Sequence, residues 1–264
     1  MLLIGLLFTV IMVDQLLARE VRQLPAAEAR QGAAADAKSV YAIDNNIIAR
    51  YDKKTRQKTG EWRADPERFS HLNSCSLRGR FLVCANSNYP QTPMASSVVW
   101  VNTETMRLAR VRQLGRAFGS LTWIQWRKGS WWACFAHYDG RGGEKGYDHR
   151  ATVLVRYDSK FKARATYRFP DSVLTKFAPS SSSGGSWNFD GLLYVTGHDK
   201  REMYALGLPA RSNTLIHVAT ISSPTAGQGI GWDPSTPRML WSIERATKTL
   251  VASHIPEVEH AVPK

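Results

Sequence analysis

Five polar residues stand where apolar, aromatic-rich runs stop: Asp44, Asn86, His137, His198 and Glu244. Histidine and carboxylate side chains transfer protons near neutral pH, or together can hold one divalent metal ion. The sequence has no HxH, HxxxH or clustered-Cys spacing, so a site built from these residues has to be assembled from distant segments. The roles that fit are His137 or His198 as general acid or base, with Asp44 and Glu244 orienting a histidine or binding the metal. His71 and Asn86 could hold substrate oxygens. Arg150, Lys200 and Arg245 lie just past the stops or at the end of a nearby loop and suit a carboxylate. Trp187 offers a flat face to a sugar ring. The competing reading is structural, because polar residues at strand ends also bond the backbone of the loops they adjoin.

The elements that would position these residues recur along the chain. His71–Leu77, Arg78-Gly79 and Phe81–Asn86 form one unit, and Ser120–Trp126, Arg127–Gly129 and Trp131–His137 form another. Gly184–Phe189, Asp190-Gly191 and Leu192–His198 follow, then Gln228–Trp232, Asp233–Pro237 and Met239–Glu244. Each reads as a strand, a tight turn and a second strand. Further strands are visible at 47–51, 98–101 and 153–157, each followed by a turn opened by Asp or Asn and then a fourth strand. A four-stranded unit repeated every few tens of residues marks a β-propeller blade. Counting second strands at 40–44, 81–86, 131–137, 192–198 and 239–244 predicts five antiparallel four-stranded blades. The first blade lacks a visible first strand and the last a visible fourth, so the ring must close with terminal segments. A β-sandwich is the alternative architecture.

Up-and-down alternation puts the start of each first strand and the end of each second strand on one face. His71, Ser120, Ser183–Ser186 and Gln228 share that address with the five stops. So do the long insertions 88–94, 139–150 and 173–186, whereas turns on the other face are minimal. Long loops gathered on one face of a rigid scaffold are where binding sites are built. The Gly-rich stretch 140–146 before Asp148-His149-Arg150 is not a phosphate loop, since no Gly-Lys-Ser/Thr follows it. No Gly-x-Ser-x-Gly elbow supports a serine hydrolase.

The chain has 264 residues, 43% of them hydrophobic, and a formal net charge of +13. This is a globular composition whose charge favours anionic partners. The basic residues form no dense block, which weighs against nucleic acid. Cys75, Cys84 and Cys134 read as small buried apolar residues; an Arg78-Gly79 turn would place Cys75 and Cys84 diagonally rather than face to face. Met1–Val13 is apolar and shorter than a membrane span. Residues 1–29 therefore read as a signal peptide, cleaved at Ala27-Glu28-Ala29 or Leu17-Ala18, or as an N-terminal anchor. Residues 20–38 read as a linker with weak helical character, of which 30–38 lies beyond the signal or anchor, and the propeller runs from 39 to 264. The expected location is periplasmic or secreted, with any membrane contact made through the N-terminus.

Val40–Asn46, His71–Cys75, Asn86–Pro90, Gly119–Trp123, Cys134–Tyr138, Asp148–Arg150 and Gly191–Asp199 resemble a group of bacterial propeller proteins often labelled cycloisomerase. Their wider neighbourhood includes lactonase-like propellers. The resemblance implies a propeller that opens or closes a lactone on a small acid. It transfers no catalytic residue, because no established motif of those enzymes is matched position by position. The expectation is an exported propeller acting on a small anionic or sugar-derived compound. The alternative is a non-catalytic propeller whose loop face recognises a protein or glycan.

Overall fold

Along the second strand of the first blade, Val40 and Ala42 pack towards one neighbouring blade while Tyr41 and Ile43 pack towards the other. Every blade repeats this two-sided burial, which is why the strands read as nearly continuous apolar runs rather than alternating ones. The computed structural model describes residues 16–259. They form β1 (Arg19–Pro25), then a first blade of β2 (Gly32–Ala35), β3 (Ser39–Asp44), β4 (Ile47–Asp52) and β5 (Lys58–Arg63). The second blade is β6 (His71–Arg78), β7 (Phe81–Ser87), β8 (Ser96–Asn102) and β9 (Arg107–Gly115). The third is β10 (Ser120–Arg127), β11 (Ser130–Ala136), β12 (Val153–Tyr157) and β13 (Ala163–Arg168). A short helix, α1 (Asp171–Phe177), precedes the fourth blade, β14 (Gly184–Trp187), β15 (Leu193–Thr196), β16 (Glu202–Gly207) and β17 (Ile216–Ser222). The fifth contains β18 (Gly231–Trp232), β19 (Met239–Glu244) and β20 (Thr249–His254).

The five sheets are separate, antiparallel and four-stranded, a five-bladed β-propeller rather than a sandwich. All five segments expected as second strands hold that position, as β3, β7, β11, β15 and β19. Five apolar clusters fill the five gaps between blades. Trp123, Trp131, Tyr41, Tyr194 and Tyr204 are among their fully buried members. Each such side chain contributes on the order of 2–3 kcal/mol by leaving water. Their polar tips are tied down: Tyr41 to Asp36 at 2.6 Å, Tyr194 to Asp190 at 2.7 Å, and Trp123 to Ser182 at 3.2 Å.

The ring closes through its N-terminus. β1 pairs with β20 from Arg19↔His254 to Pro25↔Thr249 and supplies the fourth strand of the fifth blade. The linker assigned to residues 20–38 is therefore corrected to two strands, β1 and β2. Each disguises itself for a physical reason. An outermost strand buries little, and in β1 only Leu24 is enclosed. An innermost strand has no room: a Cβ on Gly32 would stand 2.9 Å from the Cα of Gly229 in the adjoining blade. Gly-Ala-Ala-Ala thus reads as helical by propensity and folds as strand by position. Cleavage at Ala27-Glu28-Ala29 would remove β1, whereas cleavage at Leu17-Ala18 would spare it. The apolar run Met1–Val13 lies outside the described residues.

The cysteine reading is corrected as well. Cys75 and Cys84 form a disulfide, with Cα atoms 4.0 Å apart. Arg78 pairs with Phe81, so the turn residues are Gly79 and Arg80, one position later than expected. Gly79 takes φ +57, which the tight turn requires. That shift brings Cys75 directly opposite Cys84. Cys134 is free and buried, as expected.

Candidate functional site

The starts of the first strands and the ends of the second strands do share a face, and a cavity of about 640 Å³ opens there on the ring axis. All five blades contribute: Gln31 and Asn45 from the first, His71, Asn73 and Tyr89 from the second, Thr122, Tyr138 and Arg141 from the third, Ser183 and His198 from the fourth, Gln228 and Arg245 from the fifth. Gln228 holds a left-handed φ of +68 while almost wholly buried, a conformation that costs a non-glycine residue energy and recurs at functional positions.

Two histidines face the cavity in defined states. The Nδ1 of His71 lies 2.8 Å from Asn45 Oδ1, an oxygen that also accepts from Gln31 Nε2 at 2.9 Å. His71 therefore donates through Nδ1 and leaves Nε2 free to accept. Burial, with the nearby Arg245 and His198, pushes its pKa down to about 4, so the ring is neutral at pH 7. His198 places Nδ1 2.5 Å from Asp199 Oδ1 and Nε2 3.2 Å from Arg245 Nη1. Arginine only donates, so Nε2 is the acceptor and the proton sits on Nδ1, against the carboxylate. A carboxylate behind a histidine fixes its tautomer and stabilises the imidazolium that forms when Nε2 takes a proton.

The electrostatics of the mouth are one-sided. Arg141 and Arg245 line it, and none of its lining residues is Asp or Glu. Among the described residues Arg141 has no hydrogen bond or ion pair, and Arg245 bonds only to His198 through its side chain. Tyr89 and Tyr138 form an aromatic wall with ring centroids 5.0 Å apart, and Tyr89 is also 5.0 Å from the His71 ring.

Of the residues singled out from the sequence, the structure brings His71, His198 and Arg245 together at this mouth. Asp44 and Glu244 do not line it. They pair with arginines on the outside, Arg30 at 3.5 Å and Arg201 at 2.7 Å. His137 is buried behind the mouth, stacked on Tyr147 with centroids 4.7 Å apart. Its Nδ1 has no partner, and burial lowers its pKa. Asn86 is buried and donates to Ser97 Oγ at 3.1 Å. Arg150 is exposed and paired with Asp148 at 3.0 Å, and Lys200 is exposed and off the lining. Trp187 lies at the opposite end of the channel. The expected shared face is thus right for the strand ends but wrong by one residue for three side chains. Asn45, Tyr138 and Arg245 face the cavity, and each directly follows a polar stop, Asp44, His137 or Glu244. With a side-chain period of two, one position is the difference between facing the axis and facing away.

A metal site built from the stops finds no support, because their donor atoms do not converge. Among the described residues the one group with metal-like spacing is Asp139, Asp148 and His149. Its contacts have structural roles: His149 bonds Asp139 at 2.6 Å through the ring and 2.8 Å through the backbone, and Asp148 caps the turn at Arg150.

No family model and no curated protein sequence matches the chain. Solved structures of similar fold include β-propellers. A PQQ-bound aldose sugar dehydrogenase from Streptomyces coelicolor aligns with TM-score 0.58 and 11% identity, covering 90% of this chain and 98% of that one. A luciferin-regenerating enzyme aligns with TM-score 0.55 and 8% identity over 92% and 97%. The β-propeller domain of Myceliophteria thermophila Cps50 (Swd1) aligns with TM-score 0.52 and 8% identity over 90% and 100%. At these identities the likeness establishes the β-propeller fold, which enzymes and non-enzymatic assemblies share.

Proposed function

We propose that the protein binds a small hydroxylated anion, a sugar acid or its lactone, in the axial mouth and opens or closes the lactone there. The observation that carries this reading is two arginines without carboxylate partners, Arg141 and Arg245, facing a cavity that also holds the His198–Asp199 pair. Arg245 has a double role. While it donates to His198 Nε2, that nitrogen is occupied. A bound carboxylate or carbonyl oxygen draws the guanidinium to itself and releases Nε2 as a base. In lactone opening, the oxygen of water bonds to the ring carbonyl carbon and its proton passes to Nε2. The ring C–O bond then breaks, and the leaving oxygen recovers that proton. Arg141 or Arg245 stabilises the carbonyl oxyanion, and Gln31, Asn73 and Gln228 offer hydrogen bonds to hydroxyls. His71, neutral and held by Asn45, serves as an acceptor rather than as a cation.

The Cys75–Cys84 disulfide, together with the apolar Met1–Val13 segment, supports an exported protein, since disulfides persist in oxidising compartments. No helix among the described residues is long and apolar enough to cross a membrane.

The test is a hydrolysis assay across five- and six-membered sugar lactones. His198→Gln is expected to lower turnover at least a hundredfold while leaving sugar-acid binding within threefold of the parent. Binding of the acid without turnover of any lactone would favour the non-catalytic alternative, and binding of neither would end the reading.

A further inference from the structure

The opposite end of the channel opens into a second recess, of about 700 Å³, whose chemistry is quite different. Its walls are Trp126, Trp187, Trp232, Ile230 and Phe189. Phe189 sits at the tip of the turn between β14 and β15 and is 96% exposed, so a complete phenyl ring stands in water at the rim. Trp187 is buried, yet its indole N–H has no acceptor.

One cation in this mainly apolar setting has no direct partner. The Arg127 guanidinium lies 4.3 Å over the ring of Trp187 and lines the recess half-buried. Among the described residues it makes no hydrogen bond and no ion pair. The carboxylate that lines the recess with it, Asp190, attracts it at longer range but is directly engaged by Asn188 at 2.9 Å, Tyr194 at 2.7 Å and Arg238 at 3.3 Å. Lys128 adds a second, exposed cation at the rim. The surrounding field has the same sign: residues 71–169, the second and third blades, hold 16 Lys and Arg against five Asp and Glu, a net +11 within the chain's +13. A half-buried arginine stacked on an aromatic ring presents its fork to a planar carboxylate at little cost in ordering.

We propose that this recess is a second ligand site, and that it takes a flat apolar acid: an aromatic ring against the tryptophans, with its carboxylate on Arg127. The volume is that of a small-molecule pocket rather than of a protein-docking surface. The site is independent of the axial mouth on the other face. Between the two openings the innermost strands approach so closely that a Cβ on Gly229 would meet Ser74 at 2.9 Å and one on Gly231 would meet Ala34 at 3.0 Å.

The test uses 2-naphthoate and its neutral counterpart 2-naphthamide, followed by calorimetry and by quenching of tryptophan fluorescence. The full chain is expected to bind one equivalent of 2-naphthoate saturably and 2-naphthamide at least tenfold more weakly. Arg127→Gln should weaken 2-naphthoate at least tenfold, while Arg245→Gln, at the axial mouth, leaves it within twofold. Phe189→Ser changes an exposed tip and cannot disturb the core, so it keeps the test intact if Arg127→Gln does not fold; it should weaken binding at least threefold. The proposal is overturned if binding is not saturable, if the amide binds as well as the acid, if Phe189→Ser has no effect, or if Arg245→Gln rather than Arg127→Gln abolishes binding. That last result would place the acid in the axial mouth instead.

Discussion

The His71 environment makes a pH dependence that can be worked out in advance. Burial foremost, then Arg245 and His198, holds its pKa at about 4 in the folded protein, against about 6.5 for an unfolded histidine. Between these values the unfolded chain binds a proton that the folded chain refuses, so stability rises with pH across the window. Read downward, stability is lost from about pH 6.5 to pH 4 and no more is lost through this residue below that. Integrating the difference from pH 7.5 to pH 4 gives at most about 3 kcal/mol, or roughly 8 °C of melting temperature for a domain of this size. His137 and His217 are shifted in the same direction and steepen the parent curve, so the informative quantity is a difference. His71→Gln keeps a hydrogen-bonding group beside Asn45 and removes the titration. Urea denaturation of both proteins from pH 7.5 to 4 should show the parent losing about 3 kcal/mol more than His71→Gln. Parallel curves would mean that His71 titrates as a solvated histidine, and that the neutral acceptor assigned to it at the mouth does not exist.

Three further outcomes follow from the fold. Denatured protein should titrate one thiol before reduction and three after, and Cys75→Ser/Cys84→Ser should cost about 2–3 kcal/mol in urea, as expected for cross-linking a short loop. Gly185→Ala should destabilise by about 1–3 kcal/mol, because its Cβ would lie 2.3 Å from the Trp123 ring, a buried group that cannot move aside. Gly79→Ala, with open space around it, tests backbone strain alone and should cost about 1 kcal/mol. Deleting residues 1–25 removes β1 and leaves β20 as a bare edge, so the protein should melt lower and self-associate in light scattering.

The sequence made the propeller visible through its best-buried strands. Runs such as Leu82–Ala85 and Trp131–Phe135 are enclosed on both sides, so composition alone marks them. It hid the strands for which position overrides composition: β1, solvated at the rim, and β2, made of alanine because the axis leaves no space. The disulfide was lost to one residue of turn placement, since φ +57 at Gly79 sets the register and residue type does not declare which two positions form the turn. The same one-residue sensitivity governs the site. Polar stops at Asp44, His137 and Glu244 drew attention to the right strand ends, yet Asn45, Tyr138 and Arg245 are the residues that reach the axis. Tyr89 and Arg141 lie in the insertions 88–94 and 139–150, whose length places them on this face, but no periodicity operates there to single out a residue, and Gln31 sits in the segment that reads as linker. Trp187 shows the reverse error: its strand was right, but it is the last residue of β14, at the far end of the channel.

The most direct measurement is a calorimetric titration of a sugar acid, D-gluconate, against D-glucose in the full chain and in Arg245→Gln, at low and high ionic strength. If the mouth is an anion site, gluconate binds with one-to-one stoichiometry and glucose does not at the same concentrations. Arg245→Gln should weaken gluconate about tenfold or more, and added salt should weaken it in the parent more than in the variant. Equal heats for gluconate and glucose, or an Arg245→Gln protein that binds gluconate as the parent does, would contradict the account.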